Sequence, residues 1–288
     1  MTKLDKNTNI LIVGLGVIGG GYARALTEKG YSVSCITKNP DDVEYALREG
    51  IIKRGTHKID ADLIKESELI IFALYPNVFI KWVEDYQHLF SKGTVITDVT
   101  GVKSGIVDRV QSILRPDVEF ISAHPMAGRE KSGVEFSSAE VFKGANYIVV
   151  PTEKNTKEAI EICKDLGKLL GFARITELSV KEHDEMISFL SQLTHCIAVT
   201  LMNTNTAPGL EKYTGDSFRD LTRIAKINDL MWSELFNLNK EALLRDMDLF
   251  IEEFKLFRNL LEEGDVELMR EKMRSATKRR ELFDKPKA

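Results

Sequence analysis

The stretch NILIVGLGVIGGG, residues 9–21, decides how the first part of the chain folds. After its first residue it is an uninterrupted apolar run, which then meets Gly14, Gly16 and Gly19. A short apolar run that ends on glycine is typical of a strand buried on both faces, and this glycine spacing is typical of a tight turn into a helix. The stretch therefore predicts a strand, a turn and a helix, in that order.

The same alternation continues to about residue 178. Strands are predicted at Asn9–Val13, Tyr31–Ile36, Leu69–Leu74, Thr94–Asp98, Glu119–Ala123, Tyr147–Pro151 and Phe172–Leu178. Helices are predicted at Val17–Lys29, Asp41–Glu49, Phe79–Phe90, Lys103–Leu114 and Thr156–Leu170. Apolar strands separated by amphipathic helices indicate a parallel sheet covered on both faces. We therefore predict an α/β, Rossmann-type, doubly wound parallel sheet.

From Ser179 onward the sequence predicts an all-α region. His183–Met202 is apolar almost all round, which predicts a buried helix. Asp229–Glu262 and Asp265–Arg280 carry apolar residues at helical spacing among charges. Because 288 residues exceed what one hydrophobic core usually covers, we predict two domains, 1–178 and 179–288.

The composition is that of a soluble globular protein, with 43% hydrophobic and 29% charged residues. Proteins that bind nucleic acids or membrane surfaces usually carry an excess of positive charge, and a net charge of −4 gives no sign of such binding. The polar start MTKLDKNTNI fits no signal peptide, and the apolar run that follows is too short to cross a bilayer. Three cysteines lie far apart without metal-binding spacing, so we expect buried thiols, no metal and a cytoplasmic protein.

The glycine turn predicts a dinucleotide site. Gly14 permits the turn, Gly16 lets the backbone approach a pyrophosphate, and Gly19 lets the helix pack on the strand. Val17 and Ile18 open the helix, whose N-terminus attracts the anion. The alternative is a glycine-rich turn in a sheet protein that binds no nucleotide.

The end of the second strand leaves the choice of dinucleotide open. A carboxylate there usually binds the ribose 2′-hydroxyl, but here Thr37 and Lys38 follow the strand and no acid occurs before Asp41. Thr37 and Lys38 suit a 2′-phosphate, whereas a merely solvated Lys38 would carry no preference, so both NAD and NADP stay open. Leu74, at the end of the third predicted strand, completes the predicted cofactor site.

His124 stands at the mouth of a predicted strand and is followed by Pro125. Proline disfavours the helical region for the preceding residue, so His124 must stay extended. Ligands of open α/β sheets bind beyond the carboxyl ends of strands, and a neutral imidazole suits removal of a proton from an alcohol that loses hydride. The alternative is a histidine bonded to a backbone carbonyl.

Three stretches carry a resemblance to a known family. They are SAHPMAGREKSGVE (122–135), SFLSQLTHCIAVTL (188–201) and SFRDLTRIAKINDLMW (217–232). Together with the glycine turn, they cover nearly the whole chain in order and resemble the prephenate/arogenate dehydrogenases of tyrosine biosynthesis. The resemblance implies an oxidoreductase of aromatic amino acid biosynthesis that decarboxylates prephenate, or alternatively arogenate, while hydride passes to NAD(P)+. It also implies a homodimer that pairs through the helical domain.

The resemblance assigns roles to residues around the histidine. His124 corresponds to the group that takes the ring hydroxyl's proton or hydrogen-bonds to that hydroxyl. Glu130 is expected in an ionic network near the substrate entrance, with a solvated surface charge as the alternative. His195 lies on one helical face with other polar residues and corresponds to a substrate-contacting histidine; satisfied core hydrogen bonds are the alternative.

A second set of candidates lies in the stretch 214–232. Asp216 or Ser217 is predicted to cap a helix, along one side of which Arg219, Arg223 and Lys226 follow. Arginine binds carboxylates in a bidentate fork, and prephenate has two carboxylates. The resemblance places a carboxylate-binding arginine at Arg223, with Arg219 as a secondary candidate.

One further residue matches the family, and two positions depart from it. Trp232 matches a family tryptophan near the site, with a core role as the alternative. The family commonly reads Ser-His-Leu-Pro-His where this chain has Gln192 in place of the first histidine. The family also often has Asp-x-Gly-Ser-x-Lys, where this chain has Gly101 in place of the serine and Thr100 just before it, as a substitute source of the hydroxyl.

Two other functions compete with this prediction. A β-hydroxyacid dehydrogenase also joins a Rossmann domain to a helical one but typically uses a lysine on the helical domain. A non-catalytic dinucleotide sensor would bind cofactor without turnover, and would leave His124 and Arg223 without a shared purpose. The chain ends soon after its last predicted helix, so we expect no fused regulatory domain.

Overall fold

The structure, a computed structural model, describes residues 3–128, 131 and 133–284. It divides into two compact units, Met1–Lys240 and Glu241–Ala288. The first unit contains two sheets and several helices, and the second is helical.

The main sheet of the first unit is six-stranded and entirely parallel. Its strands are β1 (Asn9–Val13), β2 (Ser32–Ile36), β3 (Arg54–Thr56), β4 (Leu69–Phe72), β5 (Val95–Asp98) and β6 (Glu119–Phe120). Their order is β3-β2-β1-β4-β5-β6, so the strand order reverses between β1 and β4. Ligands of such sheets bind in the crevice at this reversal. The predicted doubly wound Rossmann-type sheet is confirmed.

Helices cover both faces of this sheet. They are α1 (Val17–Glu28), α2 (Pro40–Arg48), α3 (Ala61–Glu66), α4 (Pro76–Tyr86) and α5 (Val107–Ile113). Tyr22 and Leu26 of α1 belong to a buried cluster against one face, whereas Phe79 and Val83 of α4 belong to a second cluster against the other. The central strands β1 and β4 are apolar apart from Asn9, because each face of the sheet meets its own core.

A second sheet follows, with three strands. They are β7 (Ser122–Met126), β8 (Asn146–Val150) and β9 (Arg174–Glu177), and α6 (Lys157–Leu170) lies between the last two along the chain. β7 is antiparallel to β8, which is parallel to β9. The single strand predicted at Glu119–Ala123 is therefore wrong: the chain leaves the main sheet after Phe120. Pro125 lies in β7 because this is an edge strand, where a missing backbone donor is tolerated.

The described residues after β9 are mostly helical, as predicted. The helices are α7 (Val180–Ile187), a π-helical segment (Ser188–Leu193), α8 (Thr194–Thr204), α9 (Asp216–Thr222), a 3₁₀ turn (Arg223–Ala225), α10 (Asp229–Leu238), α11 (Lys240–Glu263) and α12 (Val266–Glu281). The stretch Asp229–Glu262, predicted from its helical spacing, forms two helices, because the chain breaks at Asn239, which is buried. The predicted cap at Asp216 or Ser217 is also wrong: α9 begins after Gly215, without a side-chain cap.

The stretch Val180–Thr204 is long and apolar enough to cross a membrane by length and composition. Its polar residues His183, Asp184 and Gln192 are buried, and other elements of the first unit bond to the latter two. Such satisfied polar groups are typical of a helix inside a folded protein. The predicted buried helix over 183–202 is only partly buried: Ile187, Gln192 and Ala198 are covered, whereas Phe189 is 58% exposed.

Candidate active site

The glycine turn forms a cradle between β1 and α1. Gly14 has a φ of +95°, and a β-carbon there would collide with the carbonyl oxygen of Ala73. A β-carbon on Gly19 would collide with the Gly14 carbonyl oxygen. At Gly16, in contrast, a β-carbon would meet no atom within 4 Å. The turn is therefore tightly packed on the protein side and open at Gly16, at the N-terminus of α1, which fits a dinucleotide pyrophosphate.

The other predicted cofactor residues surround this cradle. Val17 is buried in the first turn of α1, Ile18 is half-buried, and Leu74 lies against Gly14. Thr37 is buried, and its hydroxyl accepts a hydrogen bond of 3.3 Å from the backbone nitrogen of Leu15. Thr37 thus holds the glycine turn in place, whereas Lys38 is exposed beside it.

His124 lies inside β7, not beyond the end of a strand of the main sheet. It is half-buried, and its Nδ1 lies 2.9 Å from Nε2 of His183 on α7. His183 is fully buried, and its Nδ1 lies 2.7 Å from Oδ1 of Asp184. Burial first, and then the electrostatic effects of His183 and Lys103, lower the pKa of His124 well below 6.5. His124 is therefore a neutral imidazole near pH 7.

Asp184 is anchored to the loop after β5. Its Oδ1 accepts a bond of 2.9 Å from the backbone nitrogen of Lys103, and its Oδ2 one of 2.6 Å from that of Ser104. Burial acts to raise the pKa of Asp184, but the bonds from His183 and Ser104 outweigh it and lower that pKa. Asp184 is therefore a carboxylate.

The sequence did not reveal His183 and Asp184 as site residues. His183 contacts His124 across 59 positions of sequence, and no local pattern announces such a tertiary contact. In the sequence, the two residues stand at the start of the stretch predicted as a buried helix, among the charged residues Lys181, Glu182 and Glu185, and belong to no recognised motif.

A buried ion pair lies behind His124. The Lys103 ammonium donates to Oδ2 of Asp98 at 2.8 Å and to the Ala123 carbonyl oxygen at 2.7 Å. Oδ1 of Asp98 accepts from the Ser122 hydroxyl and from the Ala123 nitrogen. The Thr100 hydroxyl is also bonded to Asp98, and Thr100 is 4% exposed. This network fixes the strand that carries His124.

Gly101 lies opposite the outer edge of the His124 ring. A β-carbon on Gly101 would stand 3.8 Å from Nε2 of His124 and 3.7 Å from a side-chain methyl of Leu235 on α10. The ring nitrogen that faces away from His183 therefore borders the space at Gly101.

His195 and Trp232 are in contact. Their ring centroids are 3.8 Å apart with an interplanar angle of 31°. Nδ1 of His195 donates a hydrogen bond of 2.8 Å to the Ser191 carbonyl oxygen, one helical turn earlier. The stack joins α8 to α10.

The two candidate arginines lie at the end of α9. The Arg219 guanidinium donates to Oδ1 of Asp216 at 2.9 Å and to the Thr214 carbonyl oxygen at 2.8 Å. Arg219 also lines a cavity of about 460 Å³ together with Val199, Met202, Phe218, Thr222 and Lys226. Arg223 is exposed at the start of the 3₁₀ turn. Glu130 lies outside the described residues.

Comparison with known proteins decides the family. Residues 22–176 match the family model "Prephenate dehydrogenase, nucleotide-binding domain", and residues 179–275 match "Prephenate dehydrogenase, dimerization domain". The chain belongs to the prephenate dehydrogenase family. The predicted resemblance is confirmed.

Similar members of this family are known in several bacteria. The chain is 32% identical to the prephenate dehydrogenase of Bacillus subtilis over 266 residues, which cover 90% of this chain and 71% of that protein. It is 28% identical to the cyclohexadienyl dehydrogenase of Zymomonas mobilis over 94% of each. The structure of prephenate dehydrogenase from A. aeolicus, in complex with hydroxyphenyl propionate and NAD+, superimposes with a TM-score of 0.90 at 29% identity, over 98% of this chain and 100% of that one.

Gln192, which departs from the common pattern of the prephenate dehydrogenase family, is a structural residue here. It is buried, and its amide nitrogen donates to the Leu235 carbonyl oxygen at 2.9 Å. Its amide oxygen accepts from Asn239 at 2.8 Å, and Asn239 also donates to the Asp184 carbonyl oxygen. Both ends of the Gln192 amide are thus engaged with protein groups, and it ties the π-helical segment to α10.

Proposed function

We propose that this protein oxidatively decarboxylates prephenate to 4-hydroxyphenylpyruvate, with NAD+ or NADP+ as the hydride acceptor. The observation that carries the proposal is the neutral His124, held at Nδ1 by a buried histidine while Nε2 borders the space at Gly101. Membership of the prephenate dehydrogenase family and the open cradle at Gly16 support it. A bound dinucleotide supplies the acceptor for hydride from the ring carbon that bears the hydroxyl.

His124 performs the proton chemistry. Its Nε2 accepts the proton of the ring hydroxyl as hydride leaves the same carbon, which forms a carbonyl. Loss of the ring carboxylate as carbon dioxide then returns electrons to the ring, and His124 gives the proton back to the phenolic oxygen. The hydride thus carries two electrons to the dinucleotide, and the hydroxyl proton ends on the phenolic oxygen.

The helical residues hold the substrate. Arg223 is proposed to bind a carboxylate of prephenate, with Arg219, one turn earlier on α9, as a secondary candidate. His195 and Trp232, stacked on each other, are proposed to contact the ring. Thr100 and Glu130 remain proposed substrate-site residues. We assign dinucleotide binding to 1–178 and substrate binding to 179–288, a division that the two family matches support.

We propose a cytoplasmic homodimer that pairs through the helical region. Exposed apolar side chains there support pairing; they include Phe189, Leu190, Tyr213, Leu221 and Leu230. The match to a family model described as a dimerization domain supports it too. Light scattering is expected to give twice the chain mass of 32.5 kDa.

The deciding experiment supplies purified protein with prephenate or arogenate and with NAD+ or NADP+, and follows the absorbance of reduced nicotinamide. We expect turnover with prephenate, and the kcat/KM ratio of the two dinucleotides gives the preference between NAD+ and NADP+. Faster turnover of arogenate would replace the substrate assignment. Cofactor binding without turnover of either substrate would establish the sensor instead.

A further inference from the structure

We propose that His183, backed by Asp184, is a positioning residue that fixes the proton of neutral His124 on Nδ1 and leaves Nε2 as the base. The inference rests on the proposed function of His124. It concerns which of the two ring nitrogens is able to accept a proton, which neither burial nor the identity of His124 decides.

The assignment of protons along the hydrogen-bonded series Asp184–His183–His124 starts at Asp184. Its carboxylate accepts hydrogen bonds from two backbone nitrogens, those of Lys103 and Ser104, so it is able only to accept. The nitrogen of His183 that lies 2.7 Å from this carboxylate must therefore carry a proton. Asp184 thus assigns the proton of His183 to Nδ1.

The position of the proton on His183 in turn decides the position of the proton on His124. Burial is the main cause that lowers the pKa of His183, so its ring is neutral near pH 7 and holds a single proton. Its Nε2 is consequently an acceptor, and the group 2.9 Å away, Nδ1 of His124, must donate to it. A neutral His124 that donates from Nδ1 has its lone pair on Nε2, the edge that borders Gly101.

The same arrangement supports His124 after it has taken a proton. The imidazolium still donates from Nδ1 to His183, whose own proton points to the Asp184 carboxylate. The hydrogen bonds polarise one another and bring a negative charge toward the cation. Lys103 opposes this, but its own charge is paired with Asp98 at 2.8 Å.

The first test reads the tautomer directly. In wild-type protein labelled with ¹⁵N in histidine, at neutral pH and without substrate, we expect the His124 Nε2 signal of an unprotonated nitrogen and the Nδ1 signal of a protonated one. A proton on Nε2 of His124 would overturn the inference. The measurement needs no turnover, so it separates this inference from the proposed reaction.

Two substitutions test the consequence. His183→Phe keeps a ring of similar size without an acceptor, and we expect kcat to fall about 10²-fold while KM for prephenate stays within about two-fold. His183→Gln places an amide oxygen near the original Nε2, and we expect it to recover most of that kcat and the wild-type His124 tautomer. Near-normal kcat in a folded His183→Phe protein would contradict the positioning role. So would failure of His183→Gln to exceed His183→Phe.

Discussion

Nε2 of His124 lies 3.8 Å from the point where a β-carbon on Gly101 would stand. The opposite ring nitrogen is bonded to His183, so Gly101 borders the edge that we assign to the chemistry. In the family pattern this chain resembles, a serine commonly occupies the position. Glycine there leaves the space beside Nε2 wider than a serine would.

The size of the residue at position 101 is predicted to control access to His124. A β-carbon at Gly101 makes only ordinary contacts, and its backbone is outside the left-handed region, so Gly101→Ala and Gly101→Ser are expected to fold normally. Gly101→Val adds branched methyl groups toward Nε2 and Leu235, and we expect kcat/KM for prephenate to fall more than about ten-fold. Gly101→Ala is the control, with kcat/KM within about three-fold of wild type. Equal activity of the Val and Ala proteins would contradict the placement of the substrate hydroxyl.

Two substitutions in the glycine turn are predicted to act differently, one on dinucleotide binding and the other on the free energy of unfolding. Gly16→Ala adds a methyl group in open space, so the melting temperature is expected to stay unchanged while KM for the dinucleotide rises at least about ten-fold. Gly19→Ala forces a β-carbon against the Gly14 carbonyl oxygen and is expected to lower the free energy of unfolding by about 1–3 kcal/mol. Thermal unfolding and dinucleotide titration of both proteins make the comparison. A normal KM for the dinucleotide in Gly16→Ala would contradict the proposal that the pyrophosphate binds at Gly16.

The pH dependence of turnover is predicted from the environment of His124. Burial first, and then His183 and Lys103, lower its pKa well below 6.5. The base must be unprotonated to accept a proton, so activity is lost as pH falls through this lowered pKa. We expect kcat/KM for prephenate to stay flat as pH falls through 6.5 and to decline only at lower pH.

Among the described residues, the Asp98–Lys103 pair and Asp184 are charged groups near His124, and the bonds to Asp184 hold its pKa low. The acid decline therefore reports on the histidines. Control measurements of melting temperature over the same pH range separate titration of the base from acid unfolding. An inflection at or above pH 6.5 in a folded protein would contradict the environment described here.

The sequence predicts the main sheet well where local patterns are strong. β1 matches its predicted bounds, Asn9–Val13, because an apolar run stops at glycine. β3 (Arg54–Thr56) and α3 (Ala61–Glu66) were missed, since a three-residue edge strand and a short polar helix leave almost no periodicity.

Only part of the candidate active site could be predicted from the sequence. His124 stands out through its proline and motif, but its partner His183 is brought to it by tertiary packing alone. The break at Asn239 was also missed, because its cause is a pair of buried hydrogen bonds to Asp184 and Gln192 rather than a local helix-stop signal. Contacts between distant segments are set by the packing of whole elements, and no window of sequence contains them.

The two arginines of the α9 region are predicted to differ in effect. Arg223→Ala is expected to raise KM for prephenate about 10–100-fold with little change in kcat, because a charge-assisted bond to a carboxylate contributes about 1.5–3 kcal/mol. Arg219→Ala is the comparison: Arg219 is only the secondary candidate, and its guanidinium is bonded to Asp216 and to the Thr214 carbonyl oxygen, so we expect at most about a three-fold rise. Initial rates at saturating dinucleotide measure both. A larger rise in KM for Arg219→Ala than for Arg223→Ala would transfer the carboxylate site to Arg219, and unchanged KM in both would remove it from this helix.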